Sequence, residues 1–114
     1  MTQISIVKDS LKLGLLVIQP KRVIDNDNMG ALNNMLLSAY EQNYKRVVVN
    51  MSDVEFLSSS GIGILFAYNK KLAKINNRLI LCSVPEIIQC LLDEMDMIDL
   101  FTIVKDVEDA NNID

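Results

Sequence analysis

The sequence predicts an α/β fold in which a central, mostly parallel mixed β-sheet carries helices mainly on one face. Two short apolar runs without alternation, RVVVNM at 46–51 and RLILCS at 78–83, are typical of strands covered on both faces. Stretches with helical spacing separate the strands, so right-handed crossovers onto one sheet are the simplest connection. The length of 114 residues fits one domain, and we expect residues 1–114 to form it.

The N-terminal part of the chain predicts a β-hairpin followed by a helix. Residues 4–7 and 12–18 are rich in leucine, valine and isoleucine, and the polar segment 8–10 between them is turn material. A helix is expected from 27 to 42, because the run DNDN at 25–28 offers caps and apolar or aromatic side chains then recur every three or four residues, namely Met29, Leu32, Leu36, Ala39 and Tyr40.

The remaining elements alternate between strands and helices. RVVVNM is expected to be the central strand, and the helix that begins in FLSSSGIGILFAY, at 56–68, should stop at Asn76 and Asn77. After RLILCS, Pro85 is expected at the first position of a third helix that runs to Leu92. Residues 101–104 predict a last strand, and the acidic tail from Asp106 predicts a helical turn.

Composition excludes several classes of function. The net charge of −4 argues against binding of nucleic acid, because that affinity depends on lysine and arginine. The chain contains no histidine, which excludes an imidazole base and imidazole metal ligands, and no cofactor or metal site is expected. Cys82 and Cys90 lie in apolar runs and are predicted to be buried free thiols. The free thiols indicate a reduced, cytoplasmic setting, and no membrane contact is expected because the run at 13–18 is too short to cross a bilayer.

The stretch from VVVNMSDVEFLSSSGIGILFAY to RLILCSVPEIIQCLL resembles the STAS family, the domain shared by anti-sigma-factor antagonists and sulfate transporters. In that family a buried strand is followed by a loop ending Asp-Ser-Ser-Gly-hydrophobic-Gly, and the matching slots here are Ser58, Ser59, Ser60, Gly61, Ile62 and Gly63. The resemblance implies a STAS-like fold and, for a freestanding domain, an anti-sigma-factor antagonist in a partner-switching pathway.

The resemblance also implies a site and its partners. Unmodified antagonists of the family bind an anti-sigma factor that is also a serine kinase, and phosphorylation of the second motif serine abolishes binding. That serine is Ser60 here, with Ser59 as the second candidate, and a serine phosphatase is a further implied partner. Asp25 matches a family aspartate beside the switch. The predicted partner-binding residues are Asp25, Ser58, Ser59, Ser60, Gly61, Gly63, Ala67 and Lys70.

Helical geometry indicates a docking face without reference to the family. A stripe on one side of the predicted helix carries small side chains beside the serine and lysines further along, namely Ser60, Gly63, Ala67, Lys70 and Lys74. A phosphate on Ser60 would lie at the positive end of the helix dipole, so modification should change the surface without unfolding the domain. We therefore expect this stripe to meet another protein, with the lysines facing an acidic rim.

The motif departs from the family pattern at three places. Ser58 replaces the aspartate, Arg22 replaces a glycine, and the glycine expected after the third helix is absent from 94–97. Alternative interpretations stay open: a capped helix start without regulation, a non-switching scaffold in a signalling complex or beside a transporter, and a small enzyme with Ser59 or Ser60 as nucleophile. The enzyme is disfavoured because a serine nucleophile needs a nearby base and the chain has no histidine.

Overall fold

The computed structural model describes residues 4–24 and 29–111. Its strands and helices follow the chain in this order: β1 (Ile4–Ser10), β2 (Leu15–Pro20), β3 (Arg22–Ile24), α1 (Met29–Glu41), β4 (Arg46–Asn50), β5 (Val54–Leu57), α2 (Ser59–Ala73), β6 (Arg78–Cys82), α3 (Glu86–Glu94), a 3-10 turn (Ile98–Leu100), β7 (Thr102–Val104) and α4 (Val107–Asn111). None of the described helices is long and apolar enough to cross a membrane.

Five strands form the main sheet in the order β1-β2-β4-β6-β7. β1 is antiparallel to β2, whereas β2, β4, β6 and β7 pair in parallel, so β4 lies at the centre as predicted. The predicted α/β class with a mostly parallel mixed sheet is confirmed. β3 and β5, which the sequence patterns did not indicate as separate strands, pair in parallel as a two-stranded sheet of their own.

Alternate side chains of the central strand divide the core between the two faces of the sheet. Val47 and Val49 belong to the larger cluster, which also contains buried residues of α1, α2 and α3. Val48 belongs to a smaller cluster on the opposite face, where the short α4 contributes Ala110. Three helices therefore cover one face and a single short helix covers part of the other, as the sequence predicted.

The third helix corrects two expectations from the sequence. Pro85 precedes α3 as its N-cap, with ψ at 150°, and its carbonyl accepts hydrogen bonds from the amides of Ile88 and Gln89. Cys82 is buried as predicted, but Cys90 is exposed. The buried residues of α3 are Ile88 and Leu92, four positions apart, so the residue midway between them points to the opposite, solvent side.

Left-handed backbone occurs at Arg22 and within 94–97, the two places where the family pattern has a glycine that this chain lacks. Arg22 has φ of 65° and Asp96 has φ of 55°, a region that favours glycine because it has no Cβ. Arg22 starts β3, where its amide donates to the Asp53 carbonyl at 2.7 Å, and Asp96 lies in the turn after α3. Both residues therefore adopt a backbone conformation that favours glycine.

Candidate functional site

The start of α2 is fixed to the small sheet by its N-cap residue. The Ser58 amide donates to the carbonyl of Ile24, the last residue of β3, at 2.9 Å. The Ser58 hydroxyl accepts a hydrogen bond from the Gly61 amide at 3.0 Å, and its backbone is extended, as N-cap residues are. Ser58 thus performs the capping that a carboxylate in the family slot would perform.

Gly61 allows α2 to lie close against β3 and β5. It is buried, and a Cβ built at this position would lie 2.9 Å from Ile24 Cγ2 and 3.0 Å from Leu57 Cδ1. Any side chain would force these neighbours apart, because a closely packed core has no room for an added methyl. Gly61 belongs to the predicted site by position, and its burial gives it a packing role beneath the surface.

Ser59 and Ser60 are the first two residues of α2, and both are exposed. At this end of a helix the first backbone amides have no intrahelical partners, and the dipole presents a partial positive charge. The first turn of α2 contains no acidic residue that would occupy this position. The Ser60 hydroxyl is therefore accessible and suited to carry a negative group.

All five residues of the α2 stripe are exposed, as the helical spacing predicted. A Cβ built on Gly63 would meet no heavy atom within 4 Å, so the surface there is open. Lys70 lies further along, with its Nζ 5.5 Å from the centroid of the Phe66 ring. Small residues thus lie beside Ser60, and cations follow toward the end of the helix.

A groove of about 340 Å³ runs between α1 and α2 and includes Ser60 in its wall. Its lining is mostly apolar and comes from both helices: Met29, Asn33 and Leu37 of α1, and Ser60, Gly63, Ile64, Ala67, Tyr68 and Lys71 of α2. Helical spacing in the sequence indicated the α2 side of this groove but not the α1 side. The spacing within one helix cannot show which face of another helix lies next to it. We call this feature the α1–α2 groove.

Tyr68 is the one buried side chain whose polar atom lacks a hydrogen bond within the described ranges. The residue is only 4% exposed, and its hydroxyl has no partner there. Burial raises the pKa of this hydroxyl well above the usual value for tyrosine, because the charged form would lose its hydration. Nothing in the sequence indicated this, since Tyr68 fits the apolar spacing of the helix.

Asp25, the remaining predicted contact, lies outside the described residues. Its predecessor Ile24 accepts the Ser58 amide, so β3 ends beside the capped start of α2. Over residues 4–24 and 29–111, no three His, Cys, Asp or Glu side chains converge to hold a metal ion.

Comparisons with known proteins agree with this architecture. A profile of the STAS domain matches residues 7–110. The putative anti-sigma factor antagonist BtrV of Bordetella bronchiseptica is 21% identical over 97 residues, which cover 85% of this chain and 84% of the relative.

Solved structures share the fold. An anti-sigma factor antagonist from Mycobacterium paratuberculosis has a TM-score of 0.80 at 22% identity, covering 95% of this chain and 91% of the other. The phosphorylated form of the Bacillus cell fate determinant SpoIIAA has a TM-score of 0.72 at 15% identity, with all of both chains covered. With the profile match extending over most of its length, this chain belongs to the STAS domain family.

Proposed function

We propose that this chain is an anti-sigma factor antagonist of a partner-switching pathway, with residues 1–114 acting as one domain. In its unmodified form it binds an anti-sigma factor that is also a serine kinase, and phosphorylation of Ser60 releases it. A serine phosphatase would restore the binding form. The protein acts by binding in the cytoplasm and not by catalysis. The antagonists similar to it in sequence and fold support this proposal.

The observation that carries the proposal is the exposed Ser60 hydroxyl at the second position of a rigidly anchored helix. The cap bond from the Gly61 amide to Ser58 uses a different serine, so modification of Ser60 leaves it intact. A phosphate at this place gains from the helix dipole, by about 0.3–1 kcal/mol when exposed. The fold can therefore tolerate the modified state.

The effect of phosphorylation would fall on the surface. A phosphoserine adds roughly −1.5 to −2 charges and three acceptor oxygens, which disrupt an interface built around a neutral hydroxyl. The neighbouring Gly63 and Ala67 are exposed and small, so a partner's backbone can approach Ser60 closely. Replacement of the family aspartate by Ser58 preserves the helix cap, and the switch keeps its geometric support.

Phosphorylation by the cognate kinase tests the proposal directly. The purified chain is incubated with the anti-sigma kinase and ATP, and intact mass with fragmentation locates the phosphate. We expect one phosphate on Ser60, its loss in Ser60→Ala, and its retention in the matched control Ser59→Ala. A phosphate on Ser59 would move the switch by one residue, and no phosphate between 58 and 60 would refute the switch.

A binding assay separates the switch from a constitutive scaffold. Ser60→Ala should bind the anti-sigma factor as the unmodified protein does, whereas Ser60→Asp should bind it at least about tenfold more weakly because a charge enters the interface. Equal affinity of the two variants would favour the scaffold. Hydrolysis of generic ester substrates that disappears in Ser60→Ala would instead indicate an enzyme.

A further inference from the structure

The α1–α2 groove indicates the chemistry of the partner segment that docks beside Ser60. We propose that the groove receives an acidic amphipathic segment of the anti-sigma factor. Its apolar side chains would lie between the helices, and its carboxylates would meet the lysines of α2. This inference rests on the proposed function and adds a second helix and a stated partner chemistry to it.

The apolar part of the proposal follows from the groove lining. Met29 and Leu37 from α1 line the groove together with Ile64 and Ala67 from α2. Leu37 is 36% exposed, so this apolar surface is open to solvent. Apolar surface gathered between two helices and bordered by polar residues is typical of a protein interaction site.

The charge of the occupant follows from the lysines. Helix α2 contains no acidic residue, although the chain as a whole has a net charge of −4. Lys71 lines the groove, and its Nζ lies 4.5 Å from the centroid of the Tyr40 ring, which holds the ammonium in place. With Lys70 and Lys74 nearby on the exposed surface, the local charge complements carboxylates and repels cations.

Tyr68 lines the same groove and has a hydroxyl without a hydrogen-bond partner among the described residues. Buried tyrosine hydroxyls usually have a partner, and this one has none in the part of the chain that the structure describes. Its phenol stays protonated at neutral pH, so it remains a donor. The hydroxyl is buried in the free protein, so docking must move the side chains that cover it before an acceptor on the partner segment supplies the missing bond.

An acidic occupant also explains why a charge at Ser60 would release the partner. Ser60 lines the groove, so a phosphate there would introduce negative charge beside the docked carboxylates and repel them. A basic occupant would be attracted by the same phosphate, and phosphorylation would strengthen its binding. The direction of the proposed switch therefore selects an acidic partner segment.

Site-specific photocrosslinking tests the identity of the occupant. The full chain carrying p-benzoylphenylalanine in place of Leu37 is irradiated with the anti-sigma factor, and the crosslinked peptide is sequenced. A matched probe replaces Ile87, which is 70% exposed on α3 and does not line the groove. We expect only the groove probe to capture a segment with net negative charge and helical apolar spacing. Capture of a basic segment, or equal capture by both probes, would overturn the proposal.

Affinity measurements complete the test. Lys71→Glu should weaken binding by at least about tenfold. Tyr68→Phe should weaken it about fivefold while the melting temperature stays the same or rises, because the variant removes only an unsatisfied hydroxyl. Lys12→Glu, the same charge change at an exposed residue outside the groove, should bind as the parent does. Unchanged affinity of both groove variants, with binding still lost in Ser60→Asp, would refute the groove but leave the proposed function intact.

Discussion

Replacement of Gly63 by alanine should stabilise the protein and at the same time weaken its partner binding. Gly63 is an exposed residue in the first half of α2, where glycine reduces helix stability. A Cβ at this position would meet no heavy atom within 4 Å, so the methyl group causes no clash in the free protein. Helix propensity thus favours alanine, and a docking surface favours glycine.

The substitution should raise the stability of the free protein and lower its affinity for the partner. The gain in the free energy of unfolding is up to about 1 kcal/mol, the difference between alanine and glycine within a helix. For a chain of this size that corresponds to a rise in melting temperature of about 4 °C. In the complex, an added methyl in a closely packed contact costs about 1–3 kcal/mol, or roughly 5- to 150-fold in Kd.

Calorimetric melting and titration with the anti-sigma factor measure the two effects on one sample. Gly30→Ala is the matched control, because Gly30 is also an exposed helical glycine with open space around its Cβ position and does not line the groove. It should raise or maintain stability without loss of affinity. If Gly63→Ala binds as tightly as the parent, the open surface beside Ser60 is not where the partner docks.

Four further predictions concern the stability of the fold. Gly61→Ala should lower the free energy of unfolding by about 1–3 kcal/mol in denaturant titration, because its methyl would press on Ile24; an unchanged midpoint would contradict this. Ser58→Ala should cost about 1 kcal/mol by loss of the cap, and Ser58→Asp should recover it; equal midpoints would show that the cap is dispensable. Asp96→Gly should raise the free energy of unfolding by about 1 kcal/mol, because glycine adopts left-handed backbone without strain. A lower melting temperature of the variant would contradict this. The free energy of unfolding should decline above about pH 10, because Tyr68 loses its proton there in the unfolded chain but keeps it in the fold, where its pKa is raised. In urea titrations over this pH range, Tyr68→Phe should show a smaller decline of the midpoint than the parent.

The sequence predicted the two central strands because both carry an unambiguous pattern, but it placed the hairpin turn at 8–10, which the structure shows to be the end of β1. The runs at 46–51 and 78–83 are apolar without interruption, and both form buried strands at the centre of the sheet. The segment of β5 gave no such pattern, since its outer residues Val54 and Leu57 are buried and the two between them are exposed. Among the described strands, β5 pairs with one only, β3, which is itself three residues long.

The candidate site was predictable as far as it lies on one helix. The exposure of Ser60 and of the stripe beyond it followed from helical spacing within α2. The opposite wall of the groove, with Met29 and Leu37, required the packing of α1 against α2, which depends on contacts between residues about 30 positions apart. The unpartnered hydroxyl of Tyr68 was equally hidden, because hydrogen bonding is a property of the packed interior and not of residue order.

The serine and glycine residues at the start of α2 have separate roles, which explains how a change at one position can alter binding without altering the fold. Ser58 and Gly61 are joined by the cap bond, and both contact the end of β3, which fixes α2 against the small sheet. Ser60 and Gly63 lie on the opposite, exposed side of the same turns. A charge added to Ser60 therefore meets solvent and partner, while the contacts that hold the helix stay buried. In the proposed switch, phosphorylation therefore changes the free energy of partner binding and leaves the free energy of folding almost unchanged.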